Sequence, residues 1–227
     1  MKKMILGFAV STTLSLSAAA QASDFDIALA TKASSLGAGF ELLVPVSQKF
    51  NIRAGLNKFD YSLTQVIDEI EYTGDLALNS FSLNSDWHPF SGGFRLSGGL
   101  VLNKNEVRGT ATPDADITFT IGDTDYSSKD IQANATIDFN DVAPYLGLGY
   151  DRVSRNKKGL GFTAELGVLF QGSPQIDLTV SGSDTVNGII DQTTLQSDID
   201  KELVSIEDDV SAYNIYPVVA LGLTYQF

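Results

Sequence analysis

The fold is decided by residues 213–227, YNIYPVVALGLTYQF, in which every odd position is apolar or aromatic and most even positions are small or polar. Successive side chains of a β-strand point to opposite faces, so Ile215, Val219 and Leu223 should face one way and Ala220 and Thr224 the other. A tilted strand of about 9–11 residues crosses a bilayer. The segment therefore predicts one strand of a transmembrane β-barrel, with its apolar face outward.

The N-terminus has the three parts of a secretory signal. Two lysines precede an apolar run over residues 4–20, which ends in a small-x-small cleavage site at 20–22. We expect residues 1–22 to be a signal peptide and residues 23–227 to form a single outer-membrane barrel domain. The alternative is an anchoring helix, which the shortness of the run disfavours.

Length and charge fit this class of protein. Removal of 22 residues leaves 205, enough for eight crossings with loops, and the mean hydropathy is close to zero because the two faces of each strand cancel. The absence of cysteine suits an exported chain. The formal net charge of −13 becomes −15 without the two signal lysines, which argues against a nucleic-acid partner.

Eight strand-like segments recur along the chain, and an even number is typical of such barrels. The spacers after the second, fourth and sixth segments are short, and those after the third, fifth and seventh are long. This alternation predicts short periplasmic turns, long extracellular loops and both termini on the periplasmic side; the short link after the first segment is an exception. The fold class is therefore all-β, an eight-stranded antiparallel transmembrane β-barrel. The predicted strands are 25–33, 36–46, 50–61, 76–87, 94–105, 137–152, 160–171 and 213–227.

The sixth predicted strand changes parity. Apolar residues occupy odd positions over 131–139 but even positions over 144–150. We predict a bulge near Asn140 and Asp141 that shifts the register by one residue. Pro144, which has no backbone donor, also belongs at an irregularity of the ladder.

Three loop segments have patterns of their own. Residues 116–121 and 175–180 alternate apolar with polar, which predicts hairpins that continue above the membrane, or else a ten-stranded barrel that includes them. In 191–209 the apolar residues are spaced at three or four. This predicts a short acidic helix in the last loop, packed over the barrel mouth.

Aromatic residues recur where the predicted strands meet the short turns, as an interfacial belt requires. They are Phe50, Trp87, Phe94, Tyr150, Tyr225 and Phe227.

Parity places charged residues of both signs inside the barrel. Unpaired buried charges cost several kcal/mol, so they must pair or reach water. One interpretation is a salt-bridged plug, and the other is a polar conduit that guides zwitterionic solutes. An eight-stranded barrel is only just wide enough for its own side chains, although inward glycines either widen it locally or relieve crowding. The lumen residues are Glu41, Arg53, Asp86, Arg95 and Glu165.

Acidic residues crowd the long loops, where they would concentrate cations, including basic amino acids, or bridge to lipopolysaccharide through divalent ions. The acidic pairs at 114/116 and 123/125 lack the rest of a calcium loop, so we expect no metal ion and no cofactor. His88, the only histidine, lies in a predicted periplasmic turn, at the wrong rim for Ser-His chemistry on outer-leaflet lipid. We therefore predict that the protein is not an enzyme.

The second half of the chain resembles a known family. The segments APYLGLG at 143–149, GFTAELG at 161–167, GSPQIDLT at 172–179 and YPV at 216–218 have an order and spacing similar to the CarO-type outer-membrane proteins of Acinetobacter and related Gram-negative bacteria. The resemblance implies an OmpA-like eight-stranded barrel linked to uptake of ornithine and other basic amino acids and to carbapenem entry. The terminal Phe227, with Tyr225, resembles the signal read by the barrel assembly machinery.

Together these observations predict a monomeric barrel in the cell outer membrane that passes small, preferably cationic, solutes slowly. Its expected partners are outer-membrane lipid, lipopolysaccharide and the barrel assembly machinery. The alternative is a closed barrel that supports envelope integrity or surface adhesion without transport.

Overall fold

A computed structural model describes residues 26–67, 70–113, 118–121, 124–127, 131–153, 158–182 and 214–227. The regular elements within these ranges are thirteen β-strands. No helix in the described part of the chain is long and apolar enough to cross a membrane. The predicted signal peptide and the predicted helix at 191–209 lie outside the described residues and stay predictions.

Eight of the strands close into an antiparallel ring, which confirms the predicted barrel. Neighbours along the ring are hydrogen-bonded, and the first and last strands pair from Ala28↔Gln226 to Ser34↔Ala220, so no edge is left open. In ring order the strands are β1 (Ala28–Ser34), β2 (Gly37–Pro45), β3 (Phe50–Ile67), β4 (Ile70–Trp87), β5 (Phe94–Asn103), β10 (Val142–Tyr150), β11 (Gly159–Phe170) and β13 (Ile215–Gln226).

The remaining strands lie beyond the ring. The upper half of β4 pairs with β6 (Glu106–Pro113). In turn, β6 pairs with β9 (Ile131–Asp138), and β9 pairs with β12 (Gln175–Gly182). β7 (Thr118–Ile121) and β8 (Thr124–Ser127) pair as a separate hairpin. The ten-stranded alternative is therefore wrong, because these strands extend the sheet above the barrel and do not enter the ring.

The first long loop is largely strand, contrary to the prediction. β3 and β4 remain paired as far as Ile67↔Ile70, well past the predicted strand ends at residues 61 and 76. Polar cross-strand pairs hold this upper part: the Thr64 and Thr73 hydroxyls are 3.0 Å apart, and the Ser62 hydroxyl donates to Asp75. The apolar alternation that identifies membrane strands ends here because the chain has left the hydrocarbon.

The outer face of the ring is apolar. In β13 the odd-numbered residues from Ile215 to Tyr225 are exposed, while Val218, Ala220 and Thr224 are buried, as the sequence predicted. The aromatic residues of the predicted belt are all exposed on this surface, and Tyr150 stacks on Phe162 with ring centroids 5.2 Å apart. A ring with such an outer face needs lipid around it.

The predicted register shift near Asn140 is found on only one side of its strand. On the side of β5 and β6, the pairs Leu102↔Val142 and Val107↔Ile137 are separated by four residues on each segment, 103–106 and 138–141. No residue is therefore inserted on this side. Against β11 and β12, the six residues 139–144 face only the five residues 170–174. The predicted single strand 137–152 is thus two strands, β9 and β10, with an interruption between them.

Above the ring the two faces of the sheet exchange character. β3 and β4 run without interruption, so Tyr61 and Leu76 stay on the face that points into the lumen lower down. Inside the ring that face is polar, whereas here it is apolar. In register across the five strands lie Tyr61, Leu76, Val107, Ile137 and Ile176, and the next row on the opposite face is Ser62, Asp75, Arg108, Thr136 and Asp177.

Trp87 tests the lipid-facing belt, because it is the only tryptophan of the chain and lies outward at the periplasmic end of β4. We expect its fluorescence in vesicles to be blue-shifted and quenched by brominated lipids, since interfacial tryptophans lie against the acyl chains. The Trp87→Phe variant should have no such signal. Red-shifted emission that iodide quenches fully and brominated lipid does not would contradict an outward position at the membrane interface.

Candidate functional site: a charged layer across the lumen

The pleat of the ring strands points the five predicted lumen residues into the barrel. Glu41 comes from β2, Arg53 from β3, Asp86 from β4, Arg95 from β5 and Glu165 from β11. Arg53, Asp86 and Arg95 are 0% exposed, and Glu41 and Glu165 are 3% and 6% exposed. The structure brings all five together into one layer of ion pairs.

Arg53 is the centre of this layer. Its Nη1 donates to Glu41 Oε1 at 2.8 Å and to Glu165 Oε2 at 2.6 Å, and its Nε donates to Asp86 Oδ2 at 3.0 Å. β3 and β11 are four strands apart in either direction around the ring. The Arg53–Glu165 pair therefore spans the lumen from wall to wall.

Arg95 forms a second bridge beside it. Its Nη1 donates to Asp86 Oδ1 at 3.0 Å and its Nη2 to Glu165 Oε2 at 2.6 Å, while Asp151 Oδ2 lies 2.8 Å from its Nε. Ser97 donates to Asp86 Oδ1 at 2.6 Å. Both guanidinium groups thus share Asp86 and Glu165, which makes the layer a network and not a set of separate pairs.

Sequence reasoning missed three members of the layer. Lys32 pairs with Glu41 at 2.6 Å, Asp151 pairs with Arg95, and the Tyr145 hydroxyl donates to Glu165. Parity could have found Lys32, because it shares the inward face of β1 with Ala28 and Ala30. Nothing in the sequence marks Tyr145 as polar filling, because an inward tyrosine is equally at home in an apolar core.

Inward glycines make room for these long side chains. A Cβ at Gly149 would lie 3.1 Å from the Arg95 guanidinium carbon, and one at Gly222 would lie 3.0 Å from Lys32 Cβ. Gly147 and Gly167 pair across β10 and β11, and the Tyr145 ring lies over both. At these positions the glycines relieve crowding, so they do not widen the lumen.

Clusters of buried apolar residues lie on either side of the charged layer. Towards the extracellular end, Leu36 from the β1–β2 turn packs inside the barrel against a cluster from four ring strands, and the Tyr216 hydroxyl fixes this turn by donating to Ser35 O at 2.6 Å. Towards the periplasmic end lies a smaller cluster. The extracellular cluster is Leu36, Val101, Ala143, Tyr145, Leu169 and Val218, and the periplasmic one is Ala28, Ala30, Leu43 and Val153.

His88 has a structural position in the β4–β5 turn. It is buried, its Nδ1 lies 3.0 Å from Gly92 O, and its Nε2 lies 3.1 Å from Asn51 Nδ2. This network assigns the proton to Nδ1, which donates to the carbonyl, and leaves Nε2 to accept from Asn51. Among the residues that the structure describes, no group of three or more metal-ligating side chains occurs.

A closed antiparallel ring with an apolar outer face and a polar filling defines an outer-membrane β-barrel protein, and its location is the cell outer membrane. The fold is similar to that of CarO2 from Acinetobacter baumannii, with a TM-score of 0.57 and 19% identity over 89% of this chain and 98% of that one. CarO from Acinetobacter baumannii gives a TM-score of 0.55 and 24% identity over 88% and 97%. The resemblance to CarO-type barrels is thus confirmed at the level of the fold. No protein-family model and no curated protein matches the chain.

The charged layer should stabilise the barrel through Arg53. Arg53→Ala leaves Glu41, Asp86 and Glu165 with too little compensating charge, and removing one partner of a buried ion pair typically costs about 3–5 kcal/mol. Urea unfolding in detergent or vesicles, followed by gel mobility, measures this loss. Lys58→Ala is the control, because Lys58 and Asp60 form an exposed pair on the same strand, worth about 0–1 kcal/mol. Equal effects of the two variants would contradict the network.

Packing around Tyr145 gives a second expectation. A Cβ at Gly167 would lie 2.6 Å from Tyr145 Cε2, so Gly167→Ala must displace the ring and its hydrogen bond to Glu165. Overpacking of this kind typically costs about 1–3 kcal/mol. Gly109→Ala in β6 is the matched control, because nothing lies within 4 Å of its Cβ position. If the Gly167→Ala and Gly109→Ala variants were equally stable, the aromatic side chain of Tyr145 would have room for the added methyl group.

Proposed function

We propose that the protein is a barrel closed at rest, which spans the outer membrane without forming an open pore and acts through the sheet that it carries above the membrane. The observation that supports this proposal most strongly is the Arg53–Glu165 ion pair, which is buried between opposite strands of the ring. The apolar clusters above and below the layer support it further.

Energetics favour the closed state. A solute that crosses the lumen must separate Arg53 from Glu165, after which Arg53 keeps Glu41 and Asp86 as partners and Glu165 keeps Arg95. Removing one partner of a buried pair altogether costs about 3–5 kcal/mol, which is an upper limit for this separation, and each 1.4 kcal/mol is a factor of ten. This ion pair therefore disfavours an opened layer by up to roughly 10²–10⁴.

The upper sheet is the surface that such a barrel offers to its surroundings. β3 and β4 carry it out of the membrane, and its outward row of Ser62, Asp75, Arg108, Thr136 and Asp177 is polar and carries both charge signs. Lipopolysaccharide surrounds an outer-membrane barrel at this height and is its proposed partner. Hydrogen bonds and ion pairs with lipopolysaccharide would anchor the barrel and support envelope integrity.

Slow passage of small cationic solutes is the second candidate. The layer holds four carboxylates, Glu41, Asp86, Asp151 and Glu165, but only three cations, Lys32, Arg53 and Arg95. A cationic solute could replace one of the protein's own cations, and the excess carboxylate favours such a solute over an anion. Uptake of basic amino acids, which the CarO-type resemblance implies, would follow this route.

Planar-bilayer conductance separates the two candidates. We expect the wild-type barrel to be silent and the Arg53→Ala/Glu165→Ala double variant to conduct, because it removes the bridge without leaving one charge unpaired. The control is Lys58→Ala/Asp60→Ala, which removes an exposed pair from β3 and should stay silent.

Liposome swelling in ornithine provides the complementary measurement. Swelling of wild-type proteoliposomes no faster than that of protein-free liposomes agrees with a closed barrel. Faster swelling in ornithine than in a neutral amino acid of similar size, together with cation-selective conductance, would overturn the closed-barrel proposal in favour of transport.

A further inference from the structure

The inner face of the sheet above the ring is apolar but exposed. Tyr61 and Leu63 of β3 point to this face, and their exposed fractions are 54% and 50%. Val107 of β6, two strands further along the row of Tyr61, is 41% exposed. Among the described residues, this face carries no charged side chain above the ring. Contiguous apolar surface outside a membrane indicates a binding partner, so this face needs an occupant.

The upper sheet is open on one side. β6 follows β5, β9 precedes β10 and β12 follows β11, so the sheet stands above the ring strands β3, β4, β5, β10 and β11. Within the described residues, no strand continues β13, β1 or β2 upward. The apolar inner face can therefore be reached from the side that lies between β12 and the upper half of β3.

One connection of the chain has both of its ends beside this open side. Residues 183–213, a stretch of 31 residues outside the described part, join Gly182 at the far end of β12 to Asn214 before β13. β12 is the last strand of the upper sheet and has eight residues. Because an extended chain advances about 3.3 Å per residue, about eight residues suffice to return along β12 to the ring. Roughly twenty residues are left over, which is enough to cross the open side.

The sequence of this connection matches the inner face in polarity. Over 195–210 the apolar residues recur at intervals of three or four, and carboxylates fill most positions between them. Such a pattern separates one apolar side of the segment from one acidic side. Only the apolar side suits a sheet face without charges, because a carboxylate buried there would have no partner. The apolar residues are Leu195, Ile199, Leu203, Ile206 and Val210.

We propose that the inner face of the upper sheet is the docking surface for residues 195–210 of the same chain. The six carboxylates of this segment then face outward on the side of β13, β1 and β2. The polar outer row of the sheet, with Asp75 and Arg108, faces the other way, so the extracellular part has one strongly acidic side and one side of mixed charge. This packing goes beyond the proposed function and holds whether or not the barrel conducts.

Cysteine cross-linking tests the docking, because the chain has no cysteine of its own. Tyr61→Cys is combined in turn with Ile199→Cys, Leu203→Cys or Ile206→Cys in the full-length barrel, and disulfides are identified by mass spectrometry after mild oxidation. We expect an intramolecular disulfide with at least one of these three positions, since a disulfide requires Cβ atoms about 3.5–4.5 Å apart. The control on the sheet is Ser62→Cys, an equally exposed neighbour that points to the outer face.

Asp200→Cys and Glu207→Cys are the controls on the segment, and neither should form a disulfide with Tyr61→Cys. Equal disulfide yields from Tyr61→Cys and Ser62→Cys, or from the apolar and acidic positions of the segment, would overturn the proposal. A disulfide between two copies of the Tyr61→Cys protein, without an intramolecular product, would assign the face to a second barrel instead.

Maleimide labelling gives a measurement that needs no cross-link. We expect the Tyr61→Cys thiol to react about tenfold or more slowly than the Ser62→Cys thiol, because the docked segment covers it. Leu203→Asp should remove this protection, since it places a charge on the apolar side of the segment. Ser205→Asp, which lies outside the apolar positions, should leave the protection unchanged. Thiols at 61 and 62 that react equally fast in the parent chain would show that the face is uncovered.

Discussion

The ion pair between Arg53 and Glu165 is the interaction on which the interior depends. It joins opposite walls of the ring where both side chains are buried, so each charge must find its partners within the barrel. Asp86 and Arg95 complete the network, and the pair of glycines under Tyr145 lets a tyrosine hydroxyl reach Glu165 as well. A barrel of eight strands is narrow enough for side chains from opposite walls to meet. The same narrowness makes the network a barrier.

The surroundings of the sheet explain its reversal of faces. Within the hydrocarbon the lipid accepts only apolar side chains, so the polar ones turn inward. Above the membrane the outside is water and carbohydrate, and the apolar row of Tyr61, Leu76 and Val107 lies on the inner face. One uninterrupted strand, β3, has both patterns along its length. The apparent change of parity in residues 131–150 reflects this exchange of environment as well as the one-residue shift against β11 and β12.

Much of the membrane part could be predicted, because a period of two reports directly which face of a strand meets lipid. That argument located all eight ring strands and placed Glu41, Arg53, Asp86, Arg95 and Glu165 inward. It failed at the upper halves of β3 and β4, where no bilayer imposes alternation and cross-strand pairs such as Thr64 with Thr73 hold the sheet. It also assigned residues 137–152 to one strand, since periodicity does not show where two strands separate by a few residues.

By itself, the sequence determined the class of the molecule: a barrel whose apolar face meets lipid and whose charges lie inside, since side-chain alternation is a local property of an extended chain. Only the tertiary structure decided which charges pair, that Lys32, Tyr145 and Asp151 join them, and on which side the upper sheet is open. These features depend on distances between strands that are far apart in sequence. Ring closure and register set those distances, and the alternation of side chains within one strand does not predict them.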